Sequence, residues 1–91
     1  MYNLVISSKC KKDLKLAKKQ GRDMDRFFSV VDMLVNKQVL PEEFKDHALI
    51  GDYANCRECH INPDWLLIYR IYEEEVVLYL ARVGSHSDLF G

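Results

Sequence analysis

The spacing of apolar positions changes character along the chain. Tyr2 to Ile6 is a short run of aliphatic and aromatic residues and predicts a strand. Ser7 and Ser8 follow, and their hydroxyls can accept an unpaired N–H at a helix start. Leu14, Leu16 and Ala17 then lie among lysines, a narrow apolar stripe that predicts a helix over about 9–19, stopped at Gly21. Asp23 or Asp25 can cap a second helix. In it Phe27, Val30, Val31, Leu34 and Val35 follow the i, i+3, i+4, i+7, i+8 spacing of a buried face, widened by Met24 and Phe28. Pro41 marks the exit. The short link between the helices predicts an antiparallel pair.

Residues 41–55 are polar and loop-like, with Asp46, His47 and Gly51 among them. From Cys56 onward the pattern becomes that of strands. Residues 57–61 predict one, and Asn62-Pro63-Asp64 a tight turn in which proline supplies the fixed φ. Residues 65–72, rich in aromatic and branched side chains, predict a second strand, and the acidic run Glu73-Glu74-Glu75 the next turn. Residues 76–83 are apolar on both faces, as in a central strand. Gly84 ends that strand, and Ser85 can cap a last helical turn through Phe90. The expected fold is α+β: an N-terminal strand, an antiparallel helix pair, then antiparallel strands forming one sheet covered on one face, and a short C-terminal helix. The other face has too little helix to cover it, which leaves an open, partly polar surface for a site.

Composition narrows the class. A chain of 91 residues is one domain, 1–91; at this size folding buries only about 60–65% of the unfolded surface. Hydrophobic residues at 48% and charged residues at 30% are ordinary for a globular protein. No window approaches the ~20 uncharged apolar residues of a membrane span. At the N-terminus the charges follow the apolar run, the reverse of a secretory signal. The expected location is the cytoplasm, with no membrane contact. Charge is uneven: residues 1–26 hold eight Lys or Arg against three Asp, and the remainder five against eleven acidic residues. A basic first segment can steer an anionic partner. Three cysteines, an odd number, do not suit a disulfide framework and read as small, half-buried apolar residues.

The chemistry-bearing residues collect late in the chain. His47 lies in the loop, His60 late in a strand, Asp64 at the hairpin turn, Arg82 near the end of the last long strand and His86 in the final turn. Cleaving RNA through its own 2′-hydroxyl needs a base for that proton, an acid for the leaving 5′-oxygen and a cation for the phosphate. Histidine titrates near neutrality, and arginine grips phosphate with a planar fork. The five residues supply every role without a metal or cofactor. Asp64, Glu58 or Asp88 could instead be ion-pair partners of Arg82. Single-stranded bases stack on exposed rings, for which Trp65, Tyr53 and Phe90 are candidates, Trp65 being equally suited to the core.

Cys56-Arg57-Glu58-Cys59-His60 also matches C-x-x-C-H, the haem-attachment pattern, and part of a zinc site. It lies in a predicted strand beside a turn, with no export signal and no thioredoxin-like context, so neither haem, zinc nor a redox pair is expected.

Four ordered blocks carry a resemblance: Asp46-His47-Ala48-Leu49 with Gly51; Arg57 to Ile61; Pro63 to Tyr69; and Arg82 to Gly91, which contains Gly84-Ser85-His86-Ser87-Asp88-Leu89-Phe90. Together with Lys11-Lys12-Asp13-Leu14-Lys15 they resemble the YafQ-type toxins of the RelE superfamily over nearly the whole chain. The resemblance implies a RelE-like fold and a ribosome-dependent endoribonuclease that cuts mRNA in the A site. It also implies a cognate antitoxin that wraps the toxin, the complex commonly repressing its own operon by binding operator DNA. It makes His47, His60, Asp64 and His86 the proton-transfer residues. Within that set His86, which lies beside Arg82 where a leaving group can be protonated, is the expected acid, with Asp64 or His60 as base and His47 assisting. Arg82 steadies the phosphate, while Trp65 and Phe90 shape the site or orient the mRNA. A pI near 6.3 is low for a ribosome binder. The lysines of the first helix, Lys11, Lys12, Lys15, Lys18 and Lys19, are the expected rRNA-facing patch. The alternative is a non-enzymatic toxin of the same fold that binds a protein target such as gyrase.

Overall fold

The computed structural model describes residues 1–91. Strand β1 spans Asn3–Ile6 and helix α1 Ser8–Lys19. Ser7 is the N-cap: its hydroxyl accepts the Cys10 N–H at 2.9 Å, leaving Ser8 as the first helical residue. At the other end Gly21, at φ 75°, donates its N–H to the Lys18 carbonyl, and Arg22 donates to Ala17. That pairing of the last carbonyls is the Schellman stop, and it needs the left-handed conformation that glycine adopts freely. Asp23, not Asp25, caps helix α2, Met24–Val35, by accepting the Arg26 N–H at 3.0 Å.

Strands β3 (Arg57–Asn62), β4 (Trp65–Tyr72) and β5 (Val77–Gly84) follow, then helix α3 (His86–Phe90). The segment expected to be loop is more ordered. It holds single 3-10 turns at Glu42–Phe44 and Gly51–Tyr53 and a two-residue strand, β2, at His47–Ala48, which pairs with Arg57 and Glu58. The sheet order is β1-β5-β4-β3-β2. All pairings are antiparallel except β1 with β5, which runs parallel. Strands β5 and β4 are therefore central, which explains the apolar residues on both faces of each.

Helices α1 and α2 lie on one face. There Cys10, Ala17, Phe27, Val30, Val31 and Leu34 pack against Cys59, Ile61, Trp65, Leu67, Tyr69, Leu78, Leu80 and Val83 in one core. The opposite face holds a small cluster of Leu66, Ile68 and Leu89, edged by Leu49, Tyr53, Cys56 and Ala81. It is roofed only at one end, by α3 and the Leu49–Cys56 segment. Gly84 lets α3 come this close: a Cβ there would sit 3.2 Å from the Asp88 Cβ. No helix is long and apolar enough to cross a membrane.

Candidate active site

Strand register assembles the site. Cα partners run His47–Glu58, Glu58–Ile68 and Ile68–Arg82, one row across β2, β3, β4 and β5. The next row is His60–Leu66–Gly84. Side chains of paired residues, and of residues two apart on one strand, share a face. Leu66 and Ile68 belong to the cluster remote from the helices, so His47, Glu58, His60 and Arg82 arise from that same open face. Neighbouring strands are about 4.8 Å apart. The His60 and Gly84 backbones, with β4 between them, are thus about 10 Å apart, and His86 follows Gly84 by two residues.

Glu58, unforeseen as a site residue, sits between two of the histidines. Its Oε1 is 3.4 Å from His47 Nε2 and 3.7 Å from His60 Nε2; its Oε2 is buried and unpartnered. The His47 Nδ1 lies 2.6 Å from the Lys45 carbonyl. A carbonyl only accepts, so that nitrogen carries the proton, while Nε2 is the nitrogen that faces Glu58. Lys45 itself is left-handed, at φ 48°, and turns the chain out of the 3-10 turn toward Asp46 and His47. Asp46 fixes the segment from the other side: it accepts from Tyr69 Oη at 2.5 Å and from Arg57 Nε and Nη2 at 3.3 and 3.2 Å. Burial and the Asp46 carboxylate push the Tyr69 hydroxyl well above its ordinary value, so it stays a donor.

The C-terminal half is held by Asp64 and Asp13. Asp64 Oδ1 accepts the His86 N–H at 3.1 Å, tying the β3–β4 turn to the start of α3. Ser85 and Asp88 close a reciprocal capping box over the same helical turn. The His86 ring is exposed, 5.1 Å from that of Phe90, which lies 5.7 Å from Tyr53.

Arg82 pairs with none of the three acids considered from sequence. Strand β1 ends opposite Leu80, leaving an open β5 edge at 81–84, and the start of α1 finishes that edge. Ser7 Oγ donates to the Ala81 carbonyl at 2.6 Å. Asp13 accepts from the Val83 N–H at 3.1 Å and from Arg82 Nε and Nη2 at 2.7 and 3.1 Å. Asp13 and, after it, Tyr53 hold the guanidinium charged, its pKa raised above the usual arginine value. Asp13 stands three residues after buried Cys10 and four before buried Ala17. A carboxylate on the buried stripe of a helix signals a cation partner, but the stripe does not reveal which.

Trp65 does not serve as a base-stacking surface. It is 1% exposed and packed in the helix-side core 6.0 Å from Phe27, with Arg22 over its ring. Phe90, by contrast, is 44% exposed. The lysines Lys11, Lys12, Lys15, Lys18 and Lys19 are exposed and make no ion pair, as a free cationic patch requires. The C-x-x-C-H pattern is divided by the sheet: Cys59 points into the helix-side core and His60 to the opposite face. Burial pushes the Cys10 and Cys59 thiols up to about 12, which makes them inert packing groups. No three His, Cys, Asp or Glu side chains converge in a geometry suited to a metal ion.

Comparison with known proteins agrees with this architecture. The mRNA interferase toxin YafQ of Escherichia coli K12 is 38% identical over 90 residues, spanning 98% of this chain and 96% of that one. A crystal structure of a metal-bound toxin from Helicobacter pylori superposes with a TM-score of 0.93 at 44% identity, over 99% of this chain and 100% of the other. The toxin of the E. coli DinJ–YafQ complex superposes at 0.91 with 35% identity over the full length of both. Residues 2–91 match the family model described as the bacterial toxin of type II toxin–antitoxin systems, YafQ. The chain therefore belongs to the YafQ family of toxins.

Proposed function

We propose that this chain is an endoribonuclease that cuts mRNA in the ribosomal A site by metal-free acid–base chemistry. The observation that carries this reading is the pair of register rows that gathers His47, His60 and Arg82 on the uncovered sheet face, with His86 and Asp64 at its end. The E. coli relative bears the name mRNA interferase, and this face holds a group for each step such a reaction needs. His60 is the better base. Asp64 already accepts the His86 N–H, and the His47 ring is held between the Lys45 carbonyl and Glu58, which fits an assisting role. His60 takes the 2′-hydroxyl proton as that oxygen attacks phosphorus, His86 protonates the departing 5′-oxygen, and Arg82 balances the charge between them. Glu58 positions the two imidazoles, and Asp13 positions the arginine fork.

The α1 lysines face ribosomal RNA, and a cognate antitoxin silences the toxin in a hetero-oligomer, as DinJ accompanies YafQ in E. coli. The complex reaches operator DNA only through the antitoxin, and the protein acts in the cytoplasm.

Induced expression in a bacterial host tests this reading, with growth followed and mRNA 5′ ends mapped. Wild type arrests growth and cuts translated messages at in-frame positions, whereas folded His86→Gln and Arg82→Ala variants are harmless, general acid–base groups being worth about 10²–10⁴-fold in rate. Growth arrest without new mRNA ends replaces the nuclease reading with a protein target.

A further inference from the structure

The uncovered face does not end at the histidines. Below the Arg82 row the same face carries Tyr79 on β5 and, on β4, Arg70 opposite it and Tyr72 beyond. Tyr72 and Tyr79 meet edge to face at 6.5 Å, and the Arg70 guanidinium lies 4.4 Å over the Tyr72 ring. Above them an open groove of about 410 Å³ runs under the start of α1, lined by Ser7, Ser8, Lys9, Tyr53, Tyr79 and Arg82, with no carboxylate. Lys9 is exposed and makes no ion pair.

Two features connect this groove to the reaction site. Arg82 belongs to both. The aromatic series His86, Phe90, Tyr53, with ring separations of 5.1 and 5.7 Å, leads from the acid into the groove. At about 3.3 Å per residue, Tyr79 lies about 10 Å along β5 from Arg82. Rings and cations around a groove whose own lining holds no carboxylate suit a single-stranded nucleic acid: bases stack on the rings whatever their sequence, and the cations follow the phosphates. Within the groove Ala81 is the single aliphatic side chain of the lining, so a helical protein partner would find few apolar contacts inside it.

We propose that this groove carries the mRNA strand as it leaves the cleavage site, with Tyr53 and Tyr79 as stacking surfaces and Lys9 and Arg70 as phosphate contacts. The inference rests on the mRNA-cleaving reading and adds a place for nucleotides flanking the cut.

The test uses the full chain with His86→Gln, which holds the message uncut, and measures its affinity for mRNA-programmed and for vacant ribosomes. Adding Lys9→Glu or Tyr79→Ala is expected to weaken binding to programmed ribosomes about tenfold. Tyr79→Phe, which keeps the ring, leaves it unchanged. Binding to vacant ribosomes and to the antitoxin stays the same. Equal affinity of all variants for programmed ribosomes overturns the proposal. So does an equal loss on vacant ribosomes, which makes the face an rRNA contact, or a loss confined to the antitoxin, which makes it a protein interface. A parent that binds programmed and vacant ribosomes alike also overturns it. In-frame cutting by the otherwise wild-type chain is scored separately: its absence removes the cleavage reading itself, while cutting with unaffected variants removes only the groove.

Discussion

On the helix-covered face of the sheet, 17 buried residues form one core; on the opposite face three do, ringed by His47, His60, Glu58 and Arg82. The same strands build both, alternating residue by residue. Cys59 and Ile61 of β3 are packed against the helices, while Glu58 and His60, which alternate with them, lie on the other face. On the proposed reading of the site, stability and chemistry lie on opposite sides of a single sheet. Polar side chains can be grouped on the outer face without burying unpaired charge in the core, apart from the Oε2 of Glu58.

The separation can be broken from the packed side first. Phe27 is 1% exposed and touches both Phe28 and Trp65. Phe27→Ala is expected to cost about 3–5 kcal/mol in unfolding free energy, measured by denaturant titration, while the cleavage rate per folded molecule holds. A matching loss of rate in the folded fraction would show that the two faces are coupled.

Asp13 is where the faces meet, since a residue on the buried helix stripe grips a site arginine. Asp13→Asn is expected to slow single-turnover cleavage about tenfold, the scale of one charge-assisted hydrogen bond. In an Arg82→Ala background the same change should add nothing, because Asp13 acts through the arginine. Losses that multiply in the double variant would make Asp13 a purely structural residue.

Glu58→Gln gives the smallest and most selective effect. It keeps shape but removes a buried charge with one unpartnered oxygen, so thermal stability should be unchanged or slightly raised. Cleavage should fall severalfold as the grip on His47 and His60 weakens. Falling stability with intact cleavage would contradict the positioning role.

What could be read from sequence divides along similar physical lines. Helix α1 and strands β4 and β5 are written locally, by caps, Gly21 and the spacing of apolar residues, and they appear within a residue of expectation, whereas α2 has the expected buried face but ends at Val35, short of the Pro41 exit. Strand β2 is two residues long and exists only because β3 lies beside it. The parallel partnership of β1 with β5 joins distant segments that no local pattern relates. In the site, Glu58 was open to inference, since strand alternation puts it on the face of His60. Asp13 was masked by the surrounding lysines. Trp65 suited stacking and the core equally by composition, and strand alternation with Leu67 and Tyr69 sets it on the core side.

The stitching of the two chain ends has a kinetic consequence. Tyr2 donates to Glu73, Ser7 to the Ala81 carbonyl and Arg82 to Asp13, contacts 71, 74 and 69 residues apart in sequence. Closing a loop of that length costs roughly 4 kcal/mol of chain entropy before any of these contacts can repay it, and topologies dominated by such distant pairings fold slowly. The arginine clamp therefore forms with the last large-scale closure. A chain whose helices and hairpin have already formed still lacks the Arg82–Asp13 clamp, which arrives only with the completed fold.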